Sequence, residues 1–157
     1  MTDLQETGSS AVQEETVKKK TSMTRSEARE NLFRVIFQGD FHIDEDIEEI
    51  LSSYEAENED VVFDKRSLSY VKESIAGIYE HLKDIDEKIS LYSRWNIDRL
   101  SKVDKAILRV AVYEILYNDN VPDSVAANEA VNLAKKYSDD RSRSFVNGII
   151  SKVIENK

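Results

Sequence analysis

Apolar positions along this chain recur every three to four residues, the period of a helix that lays one face against a core. Leu32, Phe33, Ile36 and Phe37 begin the pattern, and Thr24-Arg25-Ser26-Glu27 stands before them in the T-x-x-E form of a capping box. A first helix is therefore predicted from about Thr24 to Gly39, with two amides satisfied reciprocally at its start. Ile43, Ile47, Ile50, Leu51 and Tyr54 mark a short second helix with an acidic outer face. Leu68, Val71, Ile75, Ile78 and Leu82 give the stripe of a longer helix over residues 65–82, and a short one follows over 85–92. Trp95, Ile97 and Leu100 fall in a compact connection.

The stretch 103–116 is apolar nearly all round, so it must be surrounded and is predicted as the central helix. Ser101 suits its cap, and Asp104 suits its positive first turn. Pro122 breaks the chain, and Asp123 or Ser124 opens a helix lined by Val125, Ala126, Ala130, Leu133, Ala134 and Tyr137. The last helix starts after Ser138 or Asp139 and carries Phe145, Val146, Ile149, Ile150, Val153 and Ile154. No strand alternation and no repeat interrupts this series. The fold class is all-α, a compact bundle of six to seven helices, orthogonal or two-lobed.

Composition sharpens the picture. Four Gly and one Pro are too few turn residues for a sheet-rich fold. Cys is absent, which removes disulfides, thiolate metal sites and a cysteine nucleophile and fits a cytoplasmic protein. No apolar run approaches the roughly 18 residues of a membrane span, and the N-terminus lacks a signal-peptide core. Residues 1–22 are expected to be a disordered polar tail, and residues 23–157 one helical domain. Lys18, Lys19 and Lys20 end that tail, either as part of a solubilising leader or as a mobile arm that meets phosphates.

The formal net charge of −9 at first opposes nucleic-acid binding. Residues 40–60, however, hold ten acids and no Lys or Arg. Residues 1–22 add a net −1, and the remainder holds 19 basic and 17 acidic residues. One acidic lobe sets the overall sign, and potential decays within about 8–10 Å, so a basic face elsewhere is open to the molecule.

Several side chains stand out. Arg25 and Arg29 lie within about 40° of the Leu32–Ile36 stripe at about 100° per residue, so both continue the core-facing side of their helix. A buried unpaired guanidinium is costly. Either the first turn overhangs the core and presents them along a groove, or they pair with an acid such as Glu129. Arg141, Ser142, Arg143, Ser144 and Phe145 open the last helix, where free amides and two guanidinium groups favour phosphate and a ring offers stacking; the alternative is a charged helix start with a core phenylalanine. Tyr92, Arg94 and Trp95 form a second aromatic–basic cluster, or else pack a loop on the core. Asn128-Glu129 interrupts an apolar stripe and calls for a partner that holds helices in register. Gly148 sits inside the last helix, where close approach of another helix would compensate its cost. His42 and His81 lie in no metal-ligand spacing, and no phosphate loop or nucleophile elbow occurs, so no catalytic residue, metal or cofactor is expected.

Taken in order, Arg99-Leu100, Val103-Asp104-Lys105-Ala106-Ile107-Leu108-Arg109-Val110-Ala111 and Tyr113-Glu114 resemble the central helix of NusB proteins. Val121-Pro122, Val125 to Val131, Ala134-Lys135-Lys136-Tyr137 and Phe145-Val146-Asn147-Gly148-Ile149 follow at that family's spacing, and Arg25-x-x-Ala28-Arg29 matches its first helix. The resemblance covers residues 24–155 and implies two packed helical subdomains. It also implies an antitermination factor that pairs with the ribosomal protein NusE, binds boxA RNA as a single strand and joins an RNA polymerase antitermination complex. By position it implies RNA contacts at Arg25, Arg29, Tyr92 and Phe145, with Arg141 and Arg143 beside them, and an acidic NusE-interface position at Asp104. Some relatives form homodimers, which the resemblance allows here. A different reading is a helical scaffold whose acidic lobe docks a basic partner without RNA specificity. A NusB-like fold also precedes a catalytic domain in certain RNA cytosine methyltransferases. No such domain stands in this sequence, so methyl transfer is not expected.

Overall fold

The computed structural model describes residues 22–39 and 46–157, and these residues form seven α-helices, one 3-10 turn and no strand. The expected tail, including Lys18–Lys20, lies outside the described residues except for Ser22, and so do His42 and Ile43. Helix α1 spans Arg25–Gln38, α2 Ile47–Glu57, α3 Lys65–Glu80 and α4 Leu82–Ser93. A 3-10 turn at Ile97–Arg99 leads to α5, Lys102–Tyr117, then α6, Asp123–Tyr137, and α7, Asp140–Glu155.

Local chemistry sets the starts. Asp46, Asp64, Ser101 and Asp139 each accept a backbone N–H of the following first turn, which removes one orphan donor per helix. Thr24 does the same for Glu27 at 3.1 Å. Only half of the predicted capping box forms, however. The Glu27 carboxylate accepts the Thr24 hydroxyl at 3.1 Å, so the second reciprocal bond is between side chains. The long helix predicted over 65–82 ends earlier, at His81, which closes α3 and opens α4.

Helix α5 is buried nearly all round, as its composition predicts, with Ile107, Leu108 and Val112 at 0% exposure. It packs against α1 and α3 on one side and α4, α6 and α7 on the other. Helices α1, α2 and α3 pack together as one group and α4, α6 and α7 around α5 as the other, so α5 joins two helical subdomains. Two glycines behave differently in this frame. A Cβ on Gly77 would stand 2.3 Å from the Tyr113 ring, so α3 and α5 meet at a point where only glycine fits. A Cβ on Gly148 would have no atom within 4 Å. The expected close approach of a helix at Gly148 is therefore absent, because α7 turns that side to solvent and buries Val146, Ile149, Ile150 and Val153 instead.

Candidate nucleic-acid interface

Arg25 and Arg29 share one helical face but have opposite environments. Arg29 is 3% exposed and forms a bidentate pair with Glu114, Nε to Oε1 at 2.8 Å and Nη2 to Oε2 at 3.1 Å. Glu129 stands further off, at 3.7 Å from Nη1, and its carboxylate accepts the Ser26 hydroxyl at 2.6 Å. Tyr70 donates its hydroxyl to Glu114 at 2.9 Å. Burial pulls the Arg29 pKa down, but the Glu114 hydrogen bond and nearby negative charge outweigh it, so the net shift is upward and the guanidinium stays charged. Burial, then the Glu114 charge, pushes the Tyr70 phenol upward, so it remains a donor. Of the two alternatives read from the sequence, Arg29 therefore takes the ion pair, with Glu114 rather than Glu129 as the main partner. Arg29 nevertheless lines the same groove as Arg25, with only 3% of its surface exposed.

Arg25 is exposed, and its guanidinium lies over the Tyr70 ring at 4.1 Å from the centroid. It borders a groove of 1230 Å³ between the first turns of α1 and α3 and the turn joining α5 to α6. Its lining combines Arg29, Lys65 and Arg66 with Tyr70, Tyr113 and Tyr117 and with Asn118, Asn120 and Pro122 of the α5–α6 turn. None of Arg25, Lys65 and Arg66 has a carboxylate in ion-pair contact among the described residues, although Glu73 and Asp119 also line the groove. Tyr117 donates its hydroxyl to Asp84, its ring stacks on His81 at 3.7 Å, and its pKa is pushed up to about 12 by burial and then by Asp84.

The start of α7 already holds some of its own donors. The Asp139 carboxylate already accepts the Ser142 N–H at 2.9 Å, and that bond, with Arg141 nearby, holds its pKa below the ordinary range. Arg143 pairs with Asp140 one turn back. Arg141 is exposed and has no ion pair among the described residues. Arg143 lines a second, shallower depression with Asn128, Ser144 and Asn147. Tyr92 and Phe145 are half-buried and packed on the core, whereas Trp95 is 54% exposed. The structure thus brings Arg25 together with Lys65, Arg66 and Tyr70, and it leaves Tyr92, Arg141, Arg143 and Phe145 outside that groove.

Asp104 is 8% exposed at the start of α5. Its Oδ2 accepts the Ser142 hydroxyl at 3.1 Å, while Oδ1 is buried with no hydrogen-bond partner. Burial raises its pKa, against the Ser142 and Ser101 hydroxyls.

Sequence reasoning missed Lys65, Arg66, Tyr70 and Glu114. Glu114 had a signal: an acid inside a helix that is apolar nearly all round needs a cation, and Arg29 on a core-facing stripe needs an acid. Lys65 and Arg66 had none, because basic residues in the first turn of an amphipathic helix look like solvated surface.

Three comparisons bear on these features. The pattern of the NusB family matches residues 25–155. A transcription antitermination protein NusB of Agathobacter rectalis is 41% identical over 131 residues, 83% of this chain and 98% of that protein. One from Pseudothermotoga lettingae is 45% identical over 130 residues, 82% and 89% of the two chains. Among solved structures, T. maritima NusB superposes with a TM-score of 0.74 at 37% identity, covering 85% of this chain and 92% of that one. A complex described as antitermination factors NusB and NusE with dsRNA contains a chain with a TM-score of 0.73 at 27% identity, covering 86% and 100%.

Proposed function

The chain belongs to the NusB family, and from that premise we propose that it is a transcription antitermination factor that binds boxA-type single-stranded RNA together with NusE. In this reading it joins the RNA polymerase antitermination complex, promotes read-through in ribosomal RNA operons, and works in the cytoplasm without catalytic activity of its own. Among the described residues no helix is long and apolar enough to cross a membrane.

The observation that carries the reading is Arg25: an exposed guanidinium laid on the Tyr70 ring at a groove with Lys65 and Arg66, neither of them ion-paired among the described residues. A single strand needs that combination, since cations follow its phosphates while rings and amides meet its bases. Arg25 is the proposed phosphate contact. Arg141, not ion-paired among the described residues, adds a fourth cation at the start of α7, with Tyr92 and Phe145 as half-exposed rings of the RNA face. Arg29 and Arg143, tied to Glu114 and Asp140, support that face rather than touch the strand. Asp104 is the proposed acidic point of the NusE interface, at the start of α5.

Fluorescence anisotropy of a labelled boxA RNA, with NusE present and the salt concentration stated, tests this. Arg25→Ala is expected to weaken binding severalfold and to make the plot of log affinity against log salt shallower by about 0.7, one single-strand phosphate contact. Unchanged affinity and slope would remove Arg25 from the site.

A further inference from the structure

We infer that Arg25, Lys65 and Arg66 form one phosphate-binding wall along this groove, and that Tyr70 is the positioning residue that fixes Arg25 within it. The inference rests on the RNA-binding reading and extends it to residues that neither the sequence pattern nor the family resemblance singles out.

The geometry has two layers. In the lower layer, Glu114 is 1% exposed and receives three donated bonds, two from Arg29 and one from the Tyr70 hydroxyl. That leaves the phenol little freedom to turn. In the upper layer, the Tyr70 ring carries the Arg25 guanidinium at 4.1 Å, with Arg29 at 5.7 Å from the same centroid. An arginine side chain samples many rotamers in solution. Resting it on a fixed ring restricts that freedom before the ligand arrives, so less is lost on binding.

Lys65 and Arg66 complete the wall from the other helix. They are the first two residues of α3, both exposed, and they stand at its positive end. The Asp64 cap ties α3 to the entry of α1, since its Oδ2 accepts the Met23 N–H at 3.1 Å while Oδ1 accepts Ser67 at 2.7 Å. The two helix starts that carry the three cations are thereby joined by one carboxylate. Glu73 and Asp119 set two negative charges in the lining against Arg25, Lys65, Arg66 and Arg29, and with Arg29 neutralised by Glu114 the groove stays positive by one in a protein of net charge −9. An anionic polymer with flat bases fits a groove that lines its cations with tyrosine rings and asparagine amides.

Anisotropy of a labelled single-stranded boxA RNA with the full chain and NusE tests the inference, with circular dichroism confirming each variant's fold. Lys65→Ala and Arg66→Ala are each expected to weaken binding severalfold. Between about 50 and about 200 mM salt, each should lose about threefold less affinity than the parent, the effect of one missing phosphate contact. Tyr70→Leu should reproduce Arg25→Ala, and the double variant should bind no worse than either single. Tyr70→Phe keeps the ring and should retain affinity within about twofold; this variant decides the seat if Tyr70→Leu does not fold.

Normal affinity and slope in both Lys65→Ala and Arg66→Ala, with Arg25→Ala weakened, would overturn the wall and leave the RNA reading intact. Additive losses in the Tyr70→Leu/Arg25→Ala double variant, or a loss in Tyr70→Phe equal to that of Arg25→Ala, would overturn the seat. If Arg25→Ala is also silent, the RNA reading at this groove fails with the inference. Weakened NusE binding without RNA in these variants would assign the groove to protein and overturn the proposal.

Discussion

Removing one member of the Arg29–Glu114 pair strands a charge in a site that excludes water. Arg29→Met and Glu114→Leu are each expected to cost about 3–5 kcal/mol, because the remaining ion keeps its desolvation cost and loses its partner. The double replacement should cost less than either single change, and urea unfolding of the three variants measures the difference. Glu30 gives a prediction in pH. Burial alone would raise its pKa, but Lys136 and the Tyr137 hydroxyl outweigh that and hold it below the ordinary carboxylate range. A carboxylate lowered on folding contributes stability that is fully present above its unfolded pKa and is lost as pH falls through its folded one. The acid limb of the stability curve should therefore be less steep in Glu30→Gln than in the parent, read by thermal melts from neutral pH downward. At this scale the sequence spoke in conflicts rather than contacts. Arg29 on an apolar stripe announced that a partner existed. Which acid it met depended on the crossing of α1 and α5, which no local pattern encodes.

Helix positions that look alike in sequence diverge once the helices pack. Gly77 and Gly148 both sit inside helices, where alanine is favoured by about 1 kcal/mol. Gly148→Ala should realise that gain, since its Cβ meets nothing. Gly77→Ala should instead destabilise by about 1–3 kcal/mol, since its Cβ would press into the Tyr113 ring. Thermal unfolding of both variants gives the two signs, and a loss at Gly148 would show that α7 is not free on that side. The boundaries of α1, α5, α6 and α7 were legible because caps, Pro122 and periodicity agreed. The break between α3 and α4 was legible only to within a few residues, because no glycine or proline marks it and the apolar stripe runs through to Leu82. At the start of α7 the acids that make Asp139-Asp140 a good helix start also engage the Ser142 amide and Arg143, which the sequence pattern alone did not reveal.

Across the whole molecule, α5 supplies core to both helical groups, so neither keeps its buried face without the other. Leu108→Ala is expected to cost about 2–5 kcal/mol and to lower the stability of both groups together. Calorimetric and van't Hoff enthalpies should agree in the parent and in the variant; two resolved transitions would contradict the shared core. Charge is likewise a matter of placement. The described part of the acidic run, from Asp46 to Asp60, lies in and next to α2, whereas Arg25, Lys65 and Arg66 meet at the starts of α1 and α3. The segregation was visible in the sequence as a block of acids, but the basic face was not, because its members come from separate helices.

Trp95 is the one tryptophan of the chain, and more than half of its surface faces solvent. It follows Arg94, whose left-handed backbone ends α4, and its N–H and carbonyl are both held by the Ser93 hydroxyl. An indole so placed on a fixed turn is an intrinsic optical probe. Whatever covers the junction between α4 and α5 will change its emission without a dye, while ligands that settle elsewhere will leave its spectrum dark to them.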